Sequence, residues 1–300
     1  MASITERETQ QVDQANASGK TPVVFIHGLW LLPSSWNRWA ELFEESGYAA
    51  VTPSWPDDPE TVEEARADPD VFANKTLGQV AHHTAEVVGE STKKPAVMGH
   101  STGGLLAQIV AGRGLSAATV AIDPGPFRGV LPLPIAALRS AMPVLANPLN
   151  RRRAVALTLD QFKYGGANAL SDEEAEQLYA TYHVATPGVA LMQMAYANVN
   201  PWTEAKVDTK EPRPRAAPEK DHTVPWAIAN ASYKRQWRNE GVTEMEKIPQ
   251  PRSLAHDRQR VAGGGRAGAG VRSALRLIGG GEWGSGRRGG DPSDRGASPG

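Results

Sequence analysis

Gly99-His100-Ser101-Thr102-Gly103 constrains this chain more than any other stretch, because it joins the apolar run Pro95-Ala96-Val97-Met98 to the helix-like run Thr102–Val110. A serine with a glycine two residues away on either side, at a strand-to-helix junction, is the pattern of a strained turn that lifts a hydroxyl above a sheet. Side chains at the two glycines would collide with the following helix, and the serine itself is expected near the left-handed region. Ser101 is therefore the candidate nucleophile. Taken alone, the same pentapeptide also describes a loop carrying a solvated serine.

Upstream, Thr21-Pro22-Val23-Val24-Phe25-Ile26 reads as a buried parallel strand that runs into His27-Gly28-Leu29-Trp30. Gly28 lets the backbone turn sharply and leaves an N–H free. Hydrolysis of an ester or amide needs two such donors aimed at the developing oxyanion, and we assign them to the N–H groups of Leu29 and Thr102. His27 is expected to brace this loop by hydrogen bonds rather than to transfer protons, and His100 to pack beneath the turn.

From about Pro22 to about Pro249 these residues resemble the α/β-hydrolase superfamily, of the esterase, lipase and cofactor-free perhydrolase kind. The order of parts fits: strand Val23–Ile26, helix Trp36–Ser46, strand Tyr48–Thr52, helix Leu77–Gly89, strand Ala96–Met98, helix Thr102–Gly112 and strand Ala118–Ile122. Such alternation predicts an α/β fold, a mostly parallel sheet with helices on both faces, with the nucleophile at the carboxyl edge where ligands of open α/β sheets bind.

The chain has 300 residues, 40% of them hydrophobic, enough for one catalytic domain with an insertion. A formal net charge of −1 gives no reason to expect nucleic acid or a charged membrane surface as partner. There is no cysteine, which excludes disulfides and thiolate metal sites and is compatible with a reducing cytoplasm. Met1–Gln10 lacks the basic end and apolar segment of a secretory signal, and no apolar run approaches the ~20 residues that span a bilayer. Residues 1–20 are expected to be a disordered polar lead, residues 21–124 the first part of the core, and the protein cytoplasmic. No metal or organic cofactor is implied.

After Ile122 the chain leaves the sheet at Asp123-Pro124-Gly125-Pro126, and the next stretch reads as helices. Ser171-Asp172-Glu173-Glu174 is a capping box, and Pro187-Gly188 starts a helix whose Leu191, Met194 and Ala195 share a face. The resemblance implies a helical lid here, over residues 125–206, with the second part of the core at 207–250. Its Leu, Met and Ala content suits an apolar acyl group, although any one of these residues is better read as plain core packing. His183 belongs to this segment and is expected to pack; His82 and His83 lie in a helix remote from the turn.

The resemblance also implies a triad acid after the seventh strand, and Glu219-Lys220-Asp221-His222-Thr223-Val224-Pro225 has that form, with Asp221 as the acid. His222 is its neighbour and not the base, because adjacent side chains on an extended loop point apart. Helix Trp226–Arg238 and strand Val242–Ile248 should follow, then a turn bearing a histidine.

Two departures stand out. Asp208–Pro218 contains three prolines and no aliphatic residue larger than alanine, so one core strand is expected to be missing. Past Pro249 the chain reads Gln250-Pro251-Arg252-Ser253-Leu254-Ala255-His256-Asp257 and continues into a Gly/Arg-rich tail over 251–300 that holds 14 of the 30 glycines and is expected not to pack. A one-nucleotide offset in a GC-rich gene accounts for both: Arg252–Val261 can then encode glycine-histidine-serine-leucine-threonine-isoleucine-aspartate-serine-glycine, and Pro214–Pro218 can encode arginine-glycine-proline-leucine-leucine. In the chain as written, His256 is the candidate base, the alternative being a solvated histidine in the tail.

The sequence thus supports a serine hydrolase that cleaves a small-molecule carboxylic ester with an apolar acyl or alcohol group through an acyl-enzyme. Cofactor-free perhydrolase or haloperoxidase-like chemistry on the same triad, and a hydrolase-fold protein impaired by loss of its histidine, remain as alternatives.

Overall fold

The computed structural model describes residues 3–131, 134–168, 170–209, 215–217 and 226–236. Helix α1 (Glu6–Ser18) precedes β1 (Thr21–Ile26), α2 (Asn37–Glu45), β2 (Tyr48–Val51), α3 (Val62–Ala67), α4 (Leu77–Gly89), β3 (Ala96–His100), α5 (Thr102–Gly112) and β4 (Ala118–Ile122). Then come α6 (Ile135–Leu145), β5 (Ala154–Val155), α7 (Leu159–Gly165), α8 (Asp172–Tyr182), β6 (Thr186–Pro187), α9 (Gly188–Ala195), β7 (Arg215–Ala217) and α10 (Trp226–Gln236). The main sheet has the order β2-β1-β3-β4-β7, and every pairing in it is parallel. This is the expected α/β fold.

Side chains of successive strand residues leave opposite faces of the sheet, and both faces are covered. Val24 and Ile26 of β1 and Val97 of β3 join Val80 and Val87 of α4 and Leu105, Leu106 and Val110 of α5 in one core. Val23 and Phe25, with Met98 and Val120, face the other, where Phe25 packs at 5.3 Å against the rings of both Trp36 and Phe43.

Two expectations are corrected. Residues 1–20 are not a disordered lead: Glu6–Ser18 is helical, started by a capping box between Thr5 and Glu8. Val12 and Ala15 bury into the main core, and the buried Glu8 carboxylate accepts hydrogen bonds from His83 Nε2 at 3.0 Å and Ser54 N–H at 2.9 Å. Likewise, the proline-rich stretch does supply a strand. Arg215–Ala217 lies between Pro214 and Pro218, so its own three N–H groups remain available, and it pairs with Val120–Ile122.

The segment after β4 is mostly helical, with a two-stranded antiparallel ladder of β5 and β6 that the sequence pattern did not reveal. Ser171 caps α8 with Glu174 reaching back, as its sequence implied. Among the described residues no helix is long and apolar enough to cross a membrane.

Candidate active site

Glycine-free packing could not bring α5 so close to the sheet. A Cβ on Gly99 would stand 2.1 Å from the Gly103 carbonyl oxygen, and one on Gly103 would stand 2.0 Å from that of Ile26. The two glycines are thus required by close approach, and they draw the start of α5 tightly over the ends of β1 and β3. Ser101, between them, adopts φ 55° and ψ −122°. For a residue with a Cβ this is a strained conformation. It is held from both sides: Ser101 N–H donates to Ile122 O at 2.9 Å, and its carbonyl accepts from Gly125 N–H at 2.9 Å and Leu105 N–H at 3.1 Å.

Strain gathers at this edge. Of the five non-glycine residues with positive φ among the described residues, Trp30, Ser101 and Asp123 follow closely on β1, β3 and β4. Asp123 is buried, and sequence reasoning passed over it as a mere exit from the sheet. Gly28 lies beside the serine, since a Cβ there would be 3.3 Å from Ser101 Cβ and 3.8 Å from its Oγ. The backbone of the loop after β1 and the start of α5 therefore flank Ser101, with Leu29 and Thr102, the two residues expected to donate to an oxyanion, both buried. The first N–H groups of α5 lack intrahelical acceptors, which suits that end of the helix to an anion.

The helical segment touches this edge. Met194 of α9 sits on the turn, its Sδ 3.6 Å from Thr102 Oγ1. Trp30 ties the loop to the same segment through Nε1–H to Val155 O at 3.0 Å and its carbonyl to Val184 N–H at 3.1 Å.

Beneath the loop is a buried charged cluster that the sequence did not suggest. His27 stacks on Trp55, with ring centroids 5.5 Å apart, and its Nδ1 lies 3.0 Å from Gly28 O, so it braces the loop as expected. Its Nε2 is 3.6 Å from Asp58 Oδ2, and Asp58 Oδ1 is paired with Lys75 Nζ at 2.5 Å. Burial, helped by the positive charges of Lys75 and Arg7, holds the His27 imidazole down at about 4. Burial pushes the Asp58 carboxyl up to about 6 against the attraction of Lys75. Burial thus favours the neutral His27 imidazole, while Lys75 favours the ionised form of Asp58.

The other described histidines are committed elsewhere or unsuited to proton transfer. Burial holds His100 at about 4. His183 is stacked on Tyr179, accepts Leu157 N–H at 3.1 Å, and is likewise held at about 4 by burial. His83 holds Glu8, and His82 lies 3.4 Å from Glu86 on the outer part of α4. Ser101 Oγ has no side-chain partner among the described residues. Asp221, its neighbour His222 and the candidate base His256 all lie outside the described residues, as do strand Val242–Ile248 and the tail. No group of three metal-ligating side chains occurs among the described residues.

Comparison with solved structures returns the same architecture. The Mycobacterium tuberculosis protein Rv0554 is similar with a TM-score of 0.58 and 16% identity, over 87% of this chain and 90% of that one. A mutant of polyneuridine aldehyde esterase gives 0.54 and 14%, over 77% and 91%. A methylesterase from Arabidopsis gives 0.52 and 13%, over 76% and 89%. No curated protein matches in sequence. The sequence model of the alpha/beta hydrolase family matches residues 23–262, a span that takes in Ser101, Asp221 and His256, and the chain belongs to that family.

Proposed function

We propose that the protein is a serine hydrolase that cleaves small-molecule carboxylic esters bearing an apolar acyl or alcohol group. The observation that carries this reading is the φ of 55° at Ser101, on a turn whose flanking glycines let the Gly28 backbone lie alongside it. In the proposed reaction Ser101 Oγ attacks the ester carbonyl and the N–H groups of Leu29 and Thr102 hold the oxyanion. A histidine takes the hydroxyl proton and returns it to the departing alcohol, with Asp221 fixing its tautomer. Water then cleaves the acyl-enzyme by the reverse sequence. In the chain as written His256 is the candidate for that histidine.

The helical segment 125–206 acts as a lid in this reading, and Met194 of α9, which lies against Thr102, favours acyl chains over charged groups. The similar solved structures of an aldehyde esterase and a methylesterase agree with ester substrates. A cysteine-free chain of this kind suits the cytoplasm. The test is hydrolysis of p-nitrophenyl esters of graded chain length by the wild-type chain and Ser101→Ala. Short to medium acyl esters should be cleaved in preference to phosphodiesters and peptides, and only by the wild-type chain. Undiminished hydrolysis by Ser101→Ala contradicts the reading.

A further inference from the structure

The net charge of −1 hides a strong segregation. Between Asp123 and Asp160 the sequence has no acidic residue and five arginines, Arg128, Arg139, Arg151, Arg152 and Arg153. The structure places an exposed apolar face in the same stretch. Helix α6 turns Ala137, Ala141 and Val144 toward the main core, and on its other side Ile135 is 84% exposed and Met142 49%. Leu131 before the helix is 75% exposed and Leu149 after it 63%. Asn150 Nδ2 bonds to the carbonyls of Pro143 and Val144, which fastens the short turn Pro148–Arg152 to the C-terminal end of α6. The exposed run Arg151–Arg153 is therefore set at one end of the apolar face, and among the described residues none of the three side chains has an acidic partner. Arg139 extends over the Tyr164 ring at 4.4 Å, beside an open groove where Asp160 is the one acid.

We propose that this face of α6 and the turn after it form a docking surface for an anionic lipid bilayer. An exposed helix face of large apolar residues, bordered by arginines, is the composition that lies in a headgroup layer with its apolar side toward the acyl chains. Charge selects the occupant. The tail of residues 251–300 carries nine arginines against four acids and is repelled by the same cluster, and a second copy docked face to face would oppose arginine to arginine. An anionic headgroup layer complements it, and long arginine side chains can hold phosphates while their stems stay apolar. The proposal does not depend on the serine chemistry, because nothing in it involves Ser101.

Flotation of the full chain with phosphatidylcholine vesicles, with and without phosphatidylglycerol, tests this. Partition should require the anionic lipid and weaken with salt. The triple change Arg151→Gln, Arg152→Gln, Arg153→Gln alters only exposed groups and should weaken it on the order of 100-fold. Ile135→Asn with Met142→Asn should also weaken it while the circular-dichroism melt stays in place. Equal partition onto neutral vesicles, or none onto anionic ones, overturns the proposal. So does partition undiminished in both variants, which would assign it to other basic residues, or a concentration-dependent dimer that disappears with Ile135→Asn and Met142→Asn, which would assign the face to a second copy.

Discussion

Lys75 Nζ lies 2.5 Å from Asp58 Oδ1, both side chains almost wholly buried, directly under the His27 ring that braces the loop beside Ser101. The pair joins residues from the two ends of the connection between β2 and α4, so the loop rests on charge held inside the protein. A buried ion pair is costly to break on one side only, because the surviving charge has lost its compensation. Lys75→Met should destabilise the fold by about 3–5 kcal/mol. Asp58→Asn combined with Lys75→Met should lose less than the single change, as urea unfolding of the three proteins will measure. A loss from the pair of substitutions equal to or greater than that from Lys75→Met alone contradicts this account.

Glu8 anchors α1 in the same manner. Burial opposes its ionisation, but hydrogen bonds from His83 and Thr5 prevail and hold the carboxyl at about 2 against an ordinary 4.5. A folded pKa below the unfolded one means that the stabilisation is complete above pH 4.5 and is lost as pH falls toward 2. A shift of this size corresponds to on the order of 3 kcal/mol. Glu8→Gln should lower stability at neutral pH and flatten the stability curve between those limits. A variant whose acid limb matches the wild type shows that Glu8 is not the group titrating there.

Gly103→Ala places a Cβ where the Ile26 carbonyl oxygen already is, 2.0 Å away, and a backbone atom cannot yield as a side-chain tip can. A cost of about 3 kcal/mol or more in thermal or urea unfolding is expected. Gly47→Ala makes the contrast: that residue has nothing within 4 Å, and its φ of 89° alone should cost about 1 kcal/mol. If Gly103→Ala is tolerated as well as Gly47→Ala, the helix does not cross the sheet as closely as described.

Met194 rests on Thr102, so a flexible side chain of the proposed lid lies against the first residue of α5. Met194→Ala should shift the ratio of kcat/KM values between long and short acyl esters about 10-fold or more toward the longer chain. An unchanged ratio removes Met194 from the acyl site.

The turn at Ser101 and the order of strands and helices were legible because glycine requirements and apolar runs are local in sequence. Helix α1 was not, since its composition is polar and it is attached by Val12, Ala15, the buried carboxylate of Glu8 and side-chain bonds of Arg7, Gln11 and Asn16 to residues distant in sequence. The Thr5-x-x-Glu8 capping box was the available signal. The Asp58–Lys75–His27 cluster has no periodicity to betray it; its members meet only when β1 and the connection after β2 come together. Strand β7 was hidden by the three prolines of 208–218, although Arg215–Ala217, which pairs with Val120–Ile122, contains none of them.

The general base separates the two accounts of the C-terminal sequence. A triad lacking its imidazole keeps its oxyanion donors and retains an acceleration of about 10³–10⁴ over water. With a one-nucleotide offset behind residues 251–260, the chain as written should be a weak hydrolase in which His256→Ala changes almost nothing, and the restored reading should raise kcat/KM by several orders of magnitude. Abolition of substantial activity by His256→Ala shows instead that His256 is the working base.

Labelling with a fluorophosphonate followed by peptide mass spectrometry will show whether Ser101 is the nucleophile. One adduct is expected, on Ser101, prevented by Ser101→Ala and slowed by a competing ester. An adduct on another residue, or labelling that survives Ser101→Ala, would contradict it.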